Sequence, residues 1–350
     1  MAIIGGTALT IADMVRRSDD DGKISTIVNL LSQTNQVLED MLWVEGNMTT
    51  GHKTTVRTGL PSATWRLLNY GVPRGKSTTA QITDTCGMLE TYSEIDKDLA
   101  ELNGNTAEFR LSEDLAFIEG INQQFVQSLF YGNVASNPER FTGFAPRFNT
   151  VTVANAQTAN NVIDAGGTGS TNASIWVVTW GPSTVHGIFP KGSKSGLTMR
   201  DLGEEPLYDA NNNLYRGYRS QYQWKCGLTV RDWRYVARVA NIDVSTLSGG
   251  TPPNLINALI RATHKLPTTP VQVTGVQTIG APGAPQNGPT MGNTVIYCNR
   301  AVSAWLDIQA LNKTNAWLTI DERMGKPITM FRGIPIKIVD QLLNTEARVV

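Results

Sequence analysis

The chain has 350 residues, 41% hydrophobic and 17% charged, with 30 Lys and Arg against 30 Asp and Glu. That length holds one large domain or two to three modest ones with real cores. Zero net charge excludes the electrostatic footprint of a tight nucleic-acid binder and removes a barrier to self-association. Cys86, Cys226 and Cys298 are far apart and lack metal or redox spacing, as expected of free cysteines in a reducing compartment. The start of the chain has no basic region followed by an apolar core, and no apolar run approaches the roughly 20 residues that cross a bilayer. The chain therefore reads as cytoplasmic with no membrane partner, and its Asn47, Asn172 and Asn312 sequons as chance.

A short helix begins at Thr10 and ends in the acidic turn Ser18 to Gly22. A second, amphipathic helix carries Ile24, Ile27, Val28, Leu31, Leu38, Met41 and Leu42 and stops near Glu45-Gly46-Asn47. From His52 to Ile95 the pattern is strand-like: Ala80, Ile82, Cys86, Met88 and Tyr92 alternate with polar residues, and Gly71-Val72-Pro73-Arg74-Gly75 supplies a turn. Asp84 and Glu90 interrupt the apolar face, so the ribbon is only partly buried. Each arm would reach ~50 Å at about 3.3 Å per residue. An isolated two-stranded ribbon is marginal in water, so this one must lie on something, most economically a neighbouring subunit.

Asn105 to Glu108 opens a long helix with a capping-box-like start. Leu111, Leu115, Ile118, Ile121, Phe125 and Leu129 share one face, and Gly132 ends the helix. Its roughly 26 residues span about 39 Å, too long for a comfortable compact monomer. Gly120 costs about 1 kcal/mol relative to Ala and permits bending or close packing. Beyond Asn149 the chain turns β-rich. Ile175 to Trp180 reads as a buried strand, and Tyr222, Trp224, Cys226, Leu228 and Val230 alternate with polar residues along another. Asp209 to Asn213 is a hairpin turn. Pro252 opens a helix over about 254–264 whose core face is Leu255, Ile256, Leu259 and Ile260. Residues 267–293 are a long Pro- and Gly-rich loop, 294–298 a strand, 300–311 a helix and 327–339 returning strands.

Each candidate for chemistry fails on spacing or context. Gly71 to Ser77 approaches a phosphate-binding loop, but Tyr70 stands where the first glycine belongs and a Thr-rich strand follows instead of a helix. Gly166 to Ser170 precedes an apolar strand instead of following one. Asp19-Asp20-Asp21-Gly22 lacks the twelve-residue calcium spacing. The centre of Gly192 to Gly196 is Lys194, which is no nucleophile elbow. His52, His186 and His264 are isolated in sequence, each an ordinary surface or half-buried side chain. Arg216, Arg219, Arg231, Arg234 and Arg238, interleaved with Trp224 and Trp233, would suit single-stranded nucleic acid. Zero net charge favours a solvated face paired with Asp201, Glu204 and Glu205 instead. No catalytic, cofactor-binding or metal residue is assigned, and no cofactor is expected.

Three stretches carry a resemblance: Phe130-Tyr131-Gly132-Asn133 leading to Phe141-Thr142-Gly143-Phe144, Tyr297-Cys298-Asn299-Arg300 to Trp305, and Phe331-Arg332-Gly333-Ile334-Pro335 to Asp340. With the order of elements they resemble the major capsid proteins of tailed bacteriophages, the Hong Kong 97-like fold; Leu38 to Gly46 also suits podovirus-type members. The resemblance implies an α+β fold with an N-terminal arm over 1–48, an extended β-hairpin loop over 49–95 and a peripheral domain with its spine helix over 96–150. A β-rich axial domain over 151–315, with loop 267–293, and a return to the peripheral domain over 316–350 complete it. It further implies a non-enzymatic shell subunit that forms hexamers and pentamers of an icosahedral head around double-stranded DNA, contacted non-specifically. A portal protein is an implied partner, with a separate scaffolding protein or none, and decoration proteins as optional further ones. The family prototype cross-links a loop lysine to a neighbour's asparagine; Lys53 and Lys76 lie in the matching region, but no acid–base partner is identified and the chemistry is not carried over. An encapsulin-like compartment shell, or a phage tail or decoration protein, is the alternative.

Overall fold

The computed structural model describes residues 35–102, 104, 106–209, 211–247, 252–267, 293–311, 318–323 and 326–350. The helix expected at Thr10, the acidic turn after it, the arm helix upstream of Asn35 and most of loop 267–293 lie outside the described residues.

At the centre is strand β5 (Asn172–Trp180), buried along its entire length. It pairs antiparallel with β9 (Val236–Asp243) and β10 (Asn293–Cys298), and touches β6 (Val185–Phe189) in parallel. Ile175 to Val178 form an uninterrupted apolar run because both faces are covered. Trp176, Val178 and Trp180 enter one core beneath helix α3 (Thr106–Tyr131). Ile175 and Val177 enter a second core beneath α6 (Leu255–Lys265) and α7 (Arg300–Leu311). The sheet continues from β6 to β8 (Leu214–Val230) and β3 (Thr78–Asp96), then to β2 (Gly51–Gly59) at its edge. On the other side β10 pairs in parallel with β13 (Ile334–Ile338), followed by β12 (Lys326–Phe331) and β11 (Leu318–Arg323). The alternation expected of β8 is present: Tyr222, Trp224, Cys226, Leu228 and Val230 are all buried. The Asp209–Asn213 turn is also present, its Asp209 Oδ1 accepting from the Asn211 and Asn213 N–H groups. Helix α6 begins after Asn254, whose side chain caps the Asn257 N–H, in agreement with the helix expected over about 254–264.

The arm helix differs from expectation. Only Val37–Asp40 (α1) is helical at its C-terminal end; Met41 is extended and Trp43–Glu45 forms β1, parallel to β6. Two forces override the helical periodicity. The β6 edge offers backbone partners, as in the Gly46 N–H to Phe189 oxygen bond of 2.8 Å. The Trp43 ring packs against the stacked pair Phe125 and Trp224, at centroid distances of 5.8 and 5.6 Å.

The ribbon exists, but it is shared. Strand β3 runs 19 residues. Up to Thr85 it pairs with β2, while Cys86 to Asp96 pairs with Gly227 to Gly217 of β8 inside the main sheet. Pairing within the ribbon ends at Gly59 opposite Thr78, so residues 60–77 form an open loop and not a tight hairpin. The turn falls at Leu67 to Tyr70, with Asn69 in the left-handed region at φ 65°, just before the expected Gly71 to Gly75.

Helix α3 is 26 residues long. Its last turn meets the returning chain: a Cβ on Gly132 or Gly143 would overlap the Phe141 or Leu129 carbonyl oxygen, respectively, and the Gly143 N–H donates to the Gly132 oxygen at 2.8 Å. The predicted apolar stripe splits in two. Ile121, Phe125 and Leu129 are buried in the core, whereas Leu111, Leu115 and Ile118 are 60%, 56% and 37% exposed. The stripe keeps one heading along the helix, but its N-terminal half overhangs the core.

Candidate functional site: surfaces for self-assembly

The loop at the end of the ribbon presents six large apolar side chains to solvent: Leu60, Trp65, Leu67, Leu68, Tyr70 and Val72, with Trp65 fully exposed. Monomeric proteins seldom leave such a cluster uncovered. Its surroundings are entirely cationic. Lys53, Arg57, Arg66, Arg74 and Lys76 are unaccompanied by any Asp or Glu from Gly51 to Thr83. The overhanging half of α3 is its counterpart in character, apolar at Leu111, Leu115 and Ile118, with Glu108, Glu113 and Glu119 on the same turns. The outer face of β3 adds exposed Ile82, Met88 and Tyr92.

Both projecting parts are firmly rooted. At the ribbon root, buried Asp84 accepts from Arg147 at 2.8 Å; that guanidinium also donates to the Thr142 and Leu228 carbonyls at 3.2 and 3.4 Å. An acid predicted merely to interrupt an apolar face is thus part of a buried ion pair. The arm is held at Asp40, which accepts from Tyr297 Oη and Lys337 Nζ, each at 2.8 Å. Tyr297 Oη in turn accepts from Trp180 Nε1 at 2.8 Å. The Asn35–Val339 bridge extends this seam.

The candidate chemical motifs lie apart. Gly71 to Ser77 falls in the exposed irregular loop and is followed by β3, and Gly166 to Ser170 remains a loop. Lys194 stands between Gly192 and Gly196, both left-handed. Asp19 to Gly22 lies outside the described residues. Four of the five arginines are paired with acids, Arg216 with Glu204, Arg219 with Glu94 and Glu205, Arg234 with Asp232 and Arg238 with Glu346, whereas Arg231 meets the Pro182 carbonyl and His52. Asp201 pairs with Arg110 instead. Trp224 is buried and Trp233 half-buried, so Trp224 offers no face for base stacking beside these arginines. Among the described residues, no cluster of His, Cys, Asp and Glu is placed to hold a metal ion, and no helix is long and apolar enough to cross a membrane. Burial pushes the Cys86 thiol up to about 11 and Cys298 to about 12, so these free cysteines behave as small apolar residues.

One reading is overturned. His52 and His186 are not isolated; both are buried, with rings 5.8 Å apart in an edge-to-face arrangement. They are distant in sequence and meet only through three pairings, β6 with β8, β8 with β3 and β3 with β2.

A long spine helix over a mixed sheet, a rooted arm and a projecting ribbon with an uncovered tip define a shell subunit of the Hong Kong 97-like α+β fold. The sequence model of the family described as major capsid protein GP7 matches residues 19–350, and the chain belongs to that family. The solved structure of bacteriophage Epsilon15 is similar to it over 100% of this chain and 99% of that one, at 38% identity and a TM-score of 0.73. The capsid of a native GTA particle shares 11% identity over 62% of this chain and 93% of its own, with a TM-score of 0.45. The SrpI encapsulin of Synechococcus elongatus shares 10% over 66% and 96%, with a TM-score of 0.40; both likenesses are too distant to bear on function. No curated protein sequence matches the chain. The chain is a bacteriophage head-shell protein and a structural one, which acts by assembling with copies of itself.

Proposed function

We propose that copies of this chain form hexamers and pentamers that close into the icosahedral head of a tailed, podovirus-type bacteriophage around double-stranded DNA. The observation that carries this is the loop tip, an apolar and wholly cationic surface that the subunit itself leaves uncovered. In the shell the tip lies over an adjacent subunit and residues 1–48 reach beneath neighbours, so that many modest contacts add up by multivalency. The division into arm (1–48), extended loop (49–95), peripheral domain (96–150 and 316–350) and axial domain (151–315) follows from this reading. Assembly takes place in the host cytoplasm, with a portal protein and separate scaffolding and decoration proteins as partners. The DNA is contacted without sequence preference, in keeping with zero net charge. No catalytic turnover and no cofactor belong to this role.

Electron microscopy of the purified protein and of particles from an expressing host tests the reading. Closed shells built of six- and five-fold capsomers, and DNA inside the phage head, are expected. Shells filled with a protein cargo, or tubes and small rings, would overturn it.

A further inference from the structure

The ribbon root holds an arrangement that assembly does not require. His52 lies on β2 opposite Asp84, and His186 lies on β6 opposite Thr229 of β8. They are 6% and 0% exposed. Arg231, just beyond β8, places Nη2 3.3 Å from His52 Nε2 and donates through Nη1 to the Pro182 carbonyl at 2.9 Å. A guanidinium only donates, so His52 Nε2 must be the unprotonated acceptor and Nδ1 must carry the hydrogen. The His52 Nδ1 has no partner, and the ring nitrogens of His186 meet no side-chain partner. The one acid at hand, Asp84, accepts from Arg147 through Oδ1 at 2.8 Å while its buried Oδ2 has no partner, and Cys86 is a neutral thiol. A proton added to His186 therefore creates a buried cation close to Arg231 with no carboxylate acting on it, and on His52 the attraction of Asp84 is the smallest influence, outweighed by burial and by Arg231.

We propose that His52, His186 and Arg231 form a proton-sensitive latch that keeps the root of the ribbon closed at neutral pH and releases it on acidification. The rings pin β2 to the β6–β8 part of the sheet, where the backbone ladder of the ribbon is separate from that of the main sheet. When the root opens, both rings reach water and protonate freely. The sign follows from burial. His186 is pushed down to about 4, by burial first and then by the charges of Arg231 and His52; burial and Arg231 lower His52 as well, against the opposing pull of Asp84. The closed root is therefore fully favoured above the open-state value of about 6.5, and its advantage is lost as pH falls from there toward 4. For His186 alone, values of about 6.5 open and 4 closed raise the open population by about 30-fold at pH 5. The latch is a property of the subunit and does not depend on the architecture of any shell.

Amide hydrogen exchange of the full chain at pH 8 and pH 5, corrected for intrinsic rates, tests it. Protection of residues 51–56 and 185–188 is expected to fall by about 30-fold, while that of 175–179 in β5 holds. His186→Gln with His52→Gln is expected to abolish the difference. Equal loss across all three segments, or the same selective loss in the double variant, overturns the proposal. Should the double variant not fold, histidine C2–H exchange on the native chain decides. A His186 midpoint well below 6, together with selective loosening of the root, supports the latch; a midpoint near 6.5 overturns it.

Discussion

Glu346 ties the end of the chain to the interior. Its Oε2 accepts from Arg238 at 2.8 Å and also from the Ser174 hydroxyl, and its Oε1 accepts from Tyr131 at 2.6 Å. Arg238 lies over the Trp176 ring at 4.9 Å and donates to the Phe148 carbonyl at 2.8 Å. One carboxylate thus joins the spine helix, two central strands and the C-terminal segment. Arg238 and Glu346 are both almost fully buried, so removing one partner strands the other charge. Glu346→Gln is expected to cost about 3–5 kcal/mol of subunit stability, read as a lower urea midpoint at unchanged slope. Asp40→Asn should act more locally. It removes a charge that accepts from Tyr297 and Lys337, so a loss of about 1–3 kcal/mol is expected, with faster proteolysis just upstream of Val37.

At the scale of elements, the two halves of the spine helix predict opposite behaviour. Leu129→Ala empties a packed site and should cost about 2–5 kcal/mol. Leu115→Glu replaces a side chain 56% exposed and should leave subunit stability within about 0.5 kcal/mol while weakening assembly. Thermal melting of the unassembled subunit beside a sedimentation assay of assembly separates the two effects. The same contrast marks what the sequence could convey. A period of 3.6 in Leu111 to Leu129 gives the heading of a face, but nothing in it tells whether a sheet lies beneath. Strand β5 was legible because burial on both faces leaves the apolar run Ile175 to Val178, and β8 because one polar face leaves clean alternation. Strand β7 (Thr198–Tyr208) was missed: Asp201, Glu204, Glu205 and Pro206 look like a loop, yet it pairs with β8 from Thr198 to Tyr208 along one edge. The helical pattern through Leu38, Met41 and Leu42 concealed β1, since the partner that makes Trp43 extended lies on β6, far along the chain. The meeting of His52 and His186 depends on three strand pairings and leaves no local mark in the sequence.

For the molecule as a whole, the division of labour is spatial. Two apolar cores, one on each side of the central sheet, make the subunit stable without a partner, and the parts that project from them carry the uncovered surface. Assembly driven by a cationic tip should weaken with salt, because exposed charges are screened beyond a Debye length of about 8 Å at physiological ionic strength. The apolar share of the contact should persist. The most direct test is electron microscopy and sedimentation of the purified chain beside a Trp65→Asp, Leu68→Asp variant, with melting temperatures recorded for both. The account predicts shells or capsomers for the parent chain and a folded subunit of equal melting temperature that does not assemble for the variant. A parent chain that stays monomeric, or a variant that builds shells as readily as the parent, would contradict it.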